Sequence, residues 1–493
     1  MKLITLSLIL LFCSLLSVAQ EFTVHEWGTF TTLYSSDGIQ LNGLQKEEEV
    51  LPNFVYSLME PDKYRDCIVE GSIDITDFGF GHEISETCGE KGFTYFLPGV
   101  NVKMETPVIY FYSDHSIENI NVTVDFKGGS ISQWYPQKEA GETSTELGES
   151  FKSLNFLESY VGNIQWNIDV LAPQDKPDLL IDVPENFVYY GVNNTWLAPR
   201  ATDANIIKNE EGEVEKYLFY RGLARFDPQL TLSIQYTNDL QIENKHQTKI
   251  DFVMVYDTRY SIDEPNVWFS SLDGLETRLI SLKNDAKFIN SPKEAHQKLQ
   301  EALVKAGLFK DEAAAMIKTW EHSYFKSHGC KVFWICPKKF VDELLPINIK
   351  PKPKHLKRVF VGRSEIVTPT EEQEILSLNE PDFRSRYRDH KFYEAYSELR
   401  HHKVAPVNNI DEISAITEFT LYPNPTTGVL NLASQEIIQG INIRNLQGKR
   451  VFNQEDVNLN QISFSLDFLT SGVYMIEIQT ENNLFIRKFL AQN

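Results

Sequence analysis

Positive charge is scarce in this 493-residue chain. Lys and Arg number 47 against 69 Asp and Glu, giving a formal net charge of -22 and a pI near 5.0. Nucleic acid and anionic membranes would be repelled by such a surface, which removes both as principal partners. After the first 19 residues no apolar run approaches the roughly 20 residues that span a bilayer, so no transmembrane segment is expected in the mature chain. The chain also lacks a Gly-x-Ser-x-Gly elbow, a phosphate loop and a dinucleotide fingerprint. His82, His322 and His328 lack the two-on-one-helix-turn spacing of metallopeptidases. No metal is therefore indicated, and the cofactor stays unknown from the sequence.

Cysteine is sparse, five in all. Cys13 lies in "MKLITLSLILLFCSLLSVAQEF", where Lys2, an apolar run to Leu16 and the small residues Ser17-Val18-Ala19 predict a signal peptide cut after Ala19. The mature protein is then exported, where disulfides are permitted. Cys67, Cys88, Cys330 and Cys336 remain, with three possible connectivities. "CKVFWIC" reads as a strand, and its six steps of about 3.3 Å hold Cys330 and Cys336 beyond the roughly 7 Å limit for a bridge. Cys67 and Cys88 flank the glycine-containing stretch "DITDFGFGHEISET" and are the expected pair. The closely spaced cysteine pairs of a zinc site are missing.

With 42% hydrophobic and 12% aromatic residues, most of the chain should fold, and its length calls for at least two domains. From Phe22 to about residue 285, runs such as "FTVHEWGTFTTLY", "METPVIYFYS" and "KIDFVMVYDTRY" alternate between turn signals and predict strands. Ser291-Pro292-Lys293-Glu294 then predicts a capped helix to Ala306, stopped by Gly307. Further helices are expected over "DEAAAMIKTWEHSYFKSHG", "KKFVDELL" and residues 382–403, with a strand at "KRVFVGRSEIV" between the last two. Hence a body, residues 20–403, that is β-sandwich-like with an inserted helical section, α+β in class. A linker over 404–417 and a β unit over 418–493 follow.

In that last unit "GVLNL", "GINIRNL" and "QISFSLDF" alternate, and "GVYMIEIQT" with "LFIRKFL" makes a terminal hairpin, together a small Ig-like sandwich of about seven short strands. Pro423 and Pro425 fix φ at its entry, and Asn424 can turn between them. Tyr422-Pro423-Asn424-Pro425, Gly428, the Gly448-Lys449 turn, Gly472 and Tyr474 in "LTSGVYMIEI", and Lys488 resemble the C-terminal sorting domain of the type IX (Por) secretion system of Bacteroidetes. The resemblance implies export through the periplasm and outer membrane, recognition by the secretion machinery and removal by its sorting peptidase. The body is then released or attached to surface lipopolysaccharide. The body itself resembles an uncharacterised family of secreted bacterial proteins with a "HEWGTF" start, a "METPV" strand and a "YRG" strand, and no activity comes with that resemblance.

Strand parity sets Glu26 in line with Phe22, Val24 and Phe30, and sets His25 with Trp27 and Thr29 on the other side. A metal shared by His25 and Glu26 would need a bulge, with Gly28 as its site. Glu105 in "KMETPV" and Arg221 in "FYRG" are likewise charges among large apolar residues, and buried charges must be paired or neutralised. Glu26, Glu105, His25 and Arg221 are thus the catalytic candidates, with a Glu26–Arg221 structural pair as the competing role. Two functions stay open. One is a surface hydrolase of external polymer using two carboxylates; the other is a non-catalytic glycan- or protein-binding protein using exposed aromatics such as Trp134, Tyr135 and Trp196.

Overall fold

The computed structural model describes residues 21–46, 51–58 except 53, 99–143, 160–180, 193–235, 239–282, 291–403 except 389, and 419–491 except 423–425, 427, 446–448, 467 and 481–483. The expected signal peptide, the expected Cys67–Cys88 bridge, the expected linker over 404–417 and Pro423-Asn424-Pro425 lie outside the described residues. Contacts divide the chain into two compact units after Ala405.

The first unit is built on a large sheet. In chain order its main strands are β1 (Thr23–Tyr34), β2 (Val102–Tyr112), β3 (Ile117–Lys127), β4 (Gly129–Tyr135), β5 (Val161–Val170) and β6 (Leu218–Ala224). A smaller sheet uses β7 (Leu230–Gln235), β8 (Asp239–Asn244) and, later, β11 (Thr277–Ser281). The large sheet resumes with β9 (Ile250–Asp257), β10 (Asn266–Leu272), β12 (Cys330–Ile335), β13 (Ile347–Lys350) and β14 (His355–Ile366). Its order is β10-β9-β12-β14-β1-β2-β6-β4-β5-β3-β13. The centre is a parallel pair, β1 with β14, flanked by antiparallel neighbours.

Two apolar layers sandwich this sheet, and β1 feeds both. Val24 and Phe30 enter a cluster with Leu232 and Ile242 of the smaller sheet. Trp27 enters the other cluster, with Leu299 and Met316 of the helical layer. That layer is α1 (Pro292–Ala306) and α2 (Lys310–Thr319), followed by a π-helical turn at Glu321–Lys326. Helix α1 has the expected cap, Ser291 accepting from the Glu294 N–H, and ends at Gly307 with φ +122°. The second expected helix is α-helical only to Thr319. Beyond it the π turn brings Tyr324 and Phe325 into the core.

Helix α3 (Lys338–Leu344) forms as expected. The continuous helix expected over 382–403 is instead two, α5 (Glu380–Tyr387) and α6 (Tyr393–Lys403). Helix α4 (Pro369–Ser377), with Thr368 as N-cap and Glu371 completing a capping box, went unread. The break lets Phe383, Phe392, Ala395 and Leu399 all reach the core, which one straight helix with these spacings would not achieve.

The second unit holds β15 (Phe419–Tyr422), β16 (Val429–Asn445), β17 (Arg450–Ser465), β18 (Gly472–Thr480) and β19 (Leu484–Ala491). Among the described residues these are five strands rather than about seven, because "GVLNL" and "GINIRNL" fuse into the single long β16. Register shifts around Ile438 let its two halves pair with different neighbours, β15 and β18. The faces fall as alternation predicts, with Leu430, Leu432, Ile441, Ile443 and Ile476 buried.

Candidate functional site

Glu26 is fully buried on the face its parity predicts, and its counterion is Arg358 rather than Arg221. Arg358 lies directly beside it in the parallel β1/β14 register, and its Nε–H donates to the Glu26 carboxylate at 2.5 Å. The Tyr220 hydroxyl donates to the other oxygen. The guanidinium also donates to the Leu345 carbonyl at 2.6 Å and meets Asp342 at 3.3 Å. Arg221 lies with Phe219 on the second face, where its Nε–H donates to the Thr106 hydroxyl at 3.3 Å.

Glu105 is on that second face too, so the sheet separates it from Glu26. It forms an ion pair with Lys103 at 2.9 Å, accepts from the Thr31 hydroxyl at 2.5 Å, and faces Arg363 at 3.6 Å. Arg363 also pairs with Glu365, which takes Lys391 at 2.6 Å. Lys331, opposite Glu365 in the register, is buried and pushed down to about 8 by desolvation. The three motifs of the body meet here. The β1/β2 register shifts at Gly28, Thr106 takes φ +47°, and the β6 pairings shift at Arg221–Gly222. A bulge at Gly28 therefore exists, yet His25 and Glu26 still diverge.

His25 points into the helical layer. Its Nδ1 lies 2.8 Å from Glu312 of α2, a carboxylate that also accepts from the Tyr112 hydroxyl at 2.7 Å and the Phe309 N–H at 2.6 Å. Glu312 is both the capping residue at the start of α2 and the anchor of that helix on the sheet. Burial and the Glu312 charge push the Tyr112 phenol well up. Tyr112 in turn lines an open cleft of about 410 Å³ at the strand ends, with Glu21, Phe22, Asp114, Asp203, Lys354 and His355 among its walls.

The aromatics expected to be exposed are inside. Trp134, Tyr135 and Trp196 are 5%, 0% and 0% exposed, and Trp196 packs edge-on to Tyr135 and Phe219. Trp134 and Tyr135, neighbours on β4, enter the two opposite core clusters, and Trp196, in a π-helical turn at Asn193–Leu197, joins that of Tyr135, which composition alone does not disclose. Cys330 opens β12 and Cys336 follows its last residue, and both are buried free thiols not bridged to each other, as their spacing implied. Among the described residues no three His, Cys, Asp or Glu side chains gather as metal ligands.

In the second unit Gly428 takes φ +115° and its carbonyl accepts from the Leu466 N–H, while Thr426 bridges to Ala491. The Tyr474 hydroxyl donates to the Thr470 carbonyl at 2.9 Å, and Gly472 opens β18 two residues before it. Lys488 stands opposite Met475 in the final hairpin. Tyr422 ends β15 opposite Asn431. Residues 420–492 match the family described as secretion system C-terminal sorting domain. The C-terminal unit is a type IX sorting domain. No curated protein matches the chain.

Among solved structures, PorZ, a bacterial surface component of the type-IX secretion system of Porphyromonas gingivalis, aligns at 18% identity over 15% of this chain and 11% of PorZ, with a TM-score of 0.14. The chain thus spans about a tenth of PorZ's length. The FN1–FN3 domains of chicken CNTN1 align at 6% identity over 81% of this chain and 96% of theirs, TM-score 0.13. The BSP domain of a biofilm associated protein aligns at 10% identity over 80% and 78%, TM-score 0.13. The sorting domain directs secretion across the outer membrane, to the cell surface or the extracellular space.

Proposed function

We propose that this protein is a passenger of the type IX system whose body works outside the cell as a non-catalytic binding protein. In this reading the signal peptide delivers the chain to the periplasm and the sorting domain takes the folded body through the outer membrane. The sorting peptidase then removes residues 418–493, and the body is released or held on surface lipopolysaccharide. The match over residues 420–492 carries the export half. Deleting residues 418–493 in a type IX-competent host should leave folded body in the periplasm, followed by fractionation and protease shaving of intact cells. Truncated protein arriving at the surface at the normal level overturns it.

Binding is favoured over hydrolysis by the placement of the two carboxylates singled out for acid–base work. A hydrolytic pair must flank one bond, about 5 to 9.5 Å apart. Glu26 and Glu105 project from opposite faces of the sheet, each engaged by its own arginine. Their supporting role is to tie neighbouring strands of the sheet, and a surface for a ligand is offered by the open cleft beside Tyr112.

A further inference from the structure

The cleft has two features that an incidental surface groove does not need. The first is a braced wall. Tyr112 is held by Glu312, and Glu312 by His25 and the Phe309 N–H, with His25 and Glu312 buried at 3% and 0% exposure. A ring fixed from behind by buried partners keeps one orientation and loses little entropy when something lies against it. The second is an asymmetric set of polar groups. Lys354 is occupied by Glu21 at 2.7 Å, whereas the side chains of Asp114, Asp203 and His355 make no hydrogen bond or ion pair among the described contacts. Two carboxylates with open acceptor positions, an imidazole and a fixed aromatic ring thus surround a volume of about 410 Å³.

Hydroxyl groups are the donors that suit carboxylate acceptors without adding a charge to be desolvated. A pyranose ring offers such hydroxyls around its rim and an apolar C–H face for the tyrosine. Acidic saccharides are disfavoured by Asp114, Asp203 and Glu21. We infer that this cleft binds a short segment of a neutral polysaccharide, with Asp114 and Asp203 accepting from its hydroxyls and Tyr112 as the platform beneath it. The inference rests on the binding reading above and gives it a place and a ligand class.

The test uses the full secreted chain, titrated calorimetrically with neutral β-glucan, mannan and xylan oligosaccharides beside oligogalacturonate. At least one neutral oligosaccharide should bind. Asp114→Ala and Asp203→Ala should each weaken it tenfold or more with the melting temperature unchanged, since both side chains are exposed. Tyr112→Phe, which keeps the ring but frees it from Glu312, should weaken binding less than Tyr112→Ala. Neutral-sugar binding that survives Asp114→Ala/Asp203→Ala overturns the cleft assignment while leaving the binding reading intact. Failure of every saccharide to bind overturns the ligand class given to the cleft without touching the binding reading, which also admits a protein partner, and a preference for oligogalacturonate overturns the assignment of charge to the cleft.

Discussion

Replacing Glu26 by Gln strands a buried guanidinium, and the cost follows from its surroundings. Arg358 is 5% exposed, and without the Glu26 charge it retains only the Leu345 carbonyl, the Tyr220 hydroxyl and an Asp342 carboxylate 3.3 Å away that is 40% exposed. Two unit charges about 4 Å apart in an effective dielectric of 20 attract by about 4 kcal/mol. Breaking a buried pair from one side costs roughly 3 to 5 kcal/mol by mutagenesis. The two figures agree, and Glu26→Gln should fall near the lower one, because the amide still accepts one hydrogen bond. Arg358→Met leaves the carboxylate with the Tyr220 hydroxyl alone and should cost the upper one.

The double variant, with no stranded charge, should be more stable than the sum of the single losses predicts. The assay is urea unfolding followed by tryptophan fluorescence. All seven tryptophans, Trp27 to Trp334, lie in the first unit, so the signal reports the body without the sorting domain. At a slope of about 3 kcal/mol per molar or less, the midpoint of Glu26→Gln should drop by roughly 1 M or more. An unchanged midpoint in both single variants would refute the pairing as a structural element.

Other predictions concern titration, thiols and the sorting domain. Burial pushes the Glu142 carboxyl from an ordinary 4.5 to about 7, against hydrogen bonds from Tyr160, Ser130 and the Ile131 N–H. The folded state then binds the proton more tightly than the unfolded chain, so stability is lost as pH rises from about 4.5 to 7, by roughly 3 kcal/mol in all. Glu142→Gln should flatten that slope and melt higher than wild type at pH 8; equal slopes in urea titrations at pH 5 and 8 would contradict this. Native protein should leave Cys330 and Cys336 unlabelled by iodoacetamide, because both are buried and desolvation raises both thiols, and peptide mapping without reduction should find them unlinked while linking Cys67 to Cys88. Gly428→Ala forces an L-residue to φ +115° and should cost about 1 to 3 kcal/mol in the second unit, lowering surface delivery while the tryptophan-detected transition of the body stays put.

What the sequence discloses depends on the distance over which a residue's environment is determined. Parity within "FTVHEWGTF" is local, and it correctly gives Glu26 a buried face and His25 the opposite one. The identity of the partners is not local. Arg358 is 332 residues from Glu26, and Glu312 is 287 from His25, so neither pairing leaves a periodic signal. Arg221 drew attention because it is odd among its immediate neighbours, the same property that marks Glu105. The two do share a face, but the pairing expected between Arg221 and Glu26 needed knowledge of which strands intervene. Helix α1, with Ser291, Pro292 and Gly307 at its ends, was legible in full. The interruption between α5 and α6 was not, because it answers to four core contacts rather than to a proline or glycine.

The body motifs illustrate why a glycine-containing pattern in the middle of a strand is poor evidence for chemistry. Gly28 of "HEWGTF" packs so closely that an added Cβ would come within 2.7 Å of the Phe360 ring and 3.0 Å of Pro107 from "METPV". Gly222 of "YRG" would bring one to 2.5 Å from the Ser130 carbonyl. These glycines, the bulges they accompany and the left-handed Thr106 are interlocking solutions to crossing β1, β2, β6 and β4 at the centre of a large sheet. The cleft draws instead on strand ends and loops, on Asp114, Asp203 and His355, which stand in no pattern and look in sequence like ordinary surface polar residues. Loops tolerate change while a sheet centre does not, so in this chain "HEWGTF", "METPV" and "YRG" describe the scaffold, and a search for its ligand belongs at the unpatterned rim.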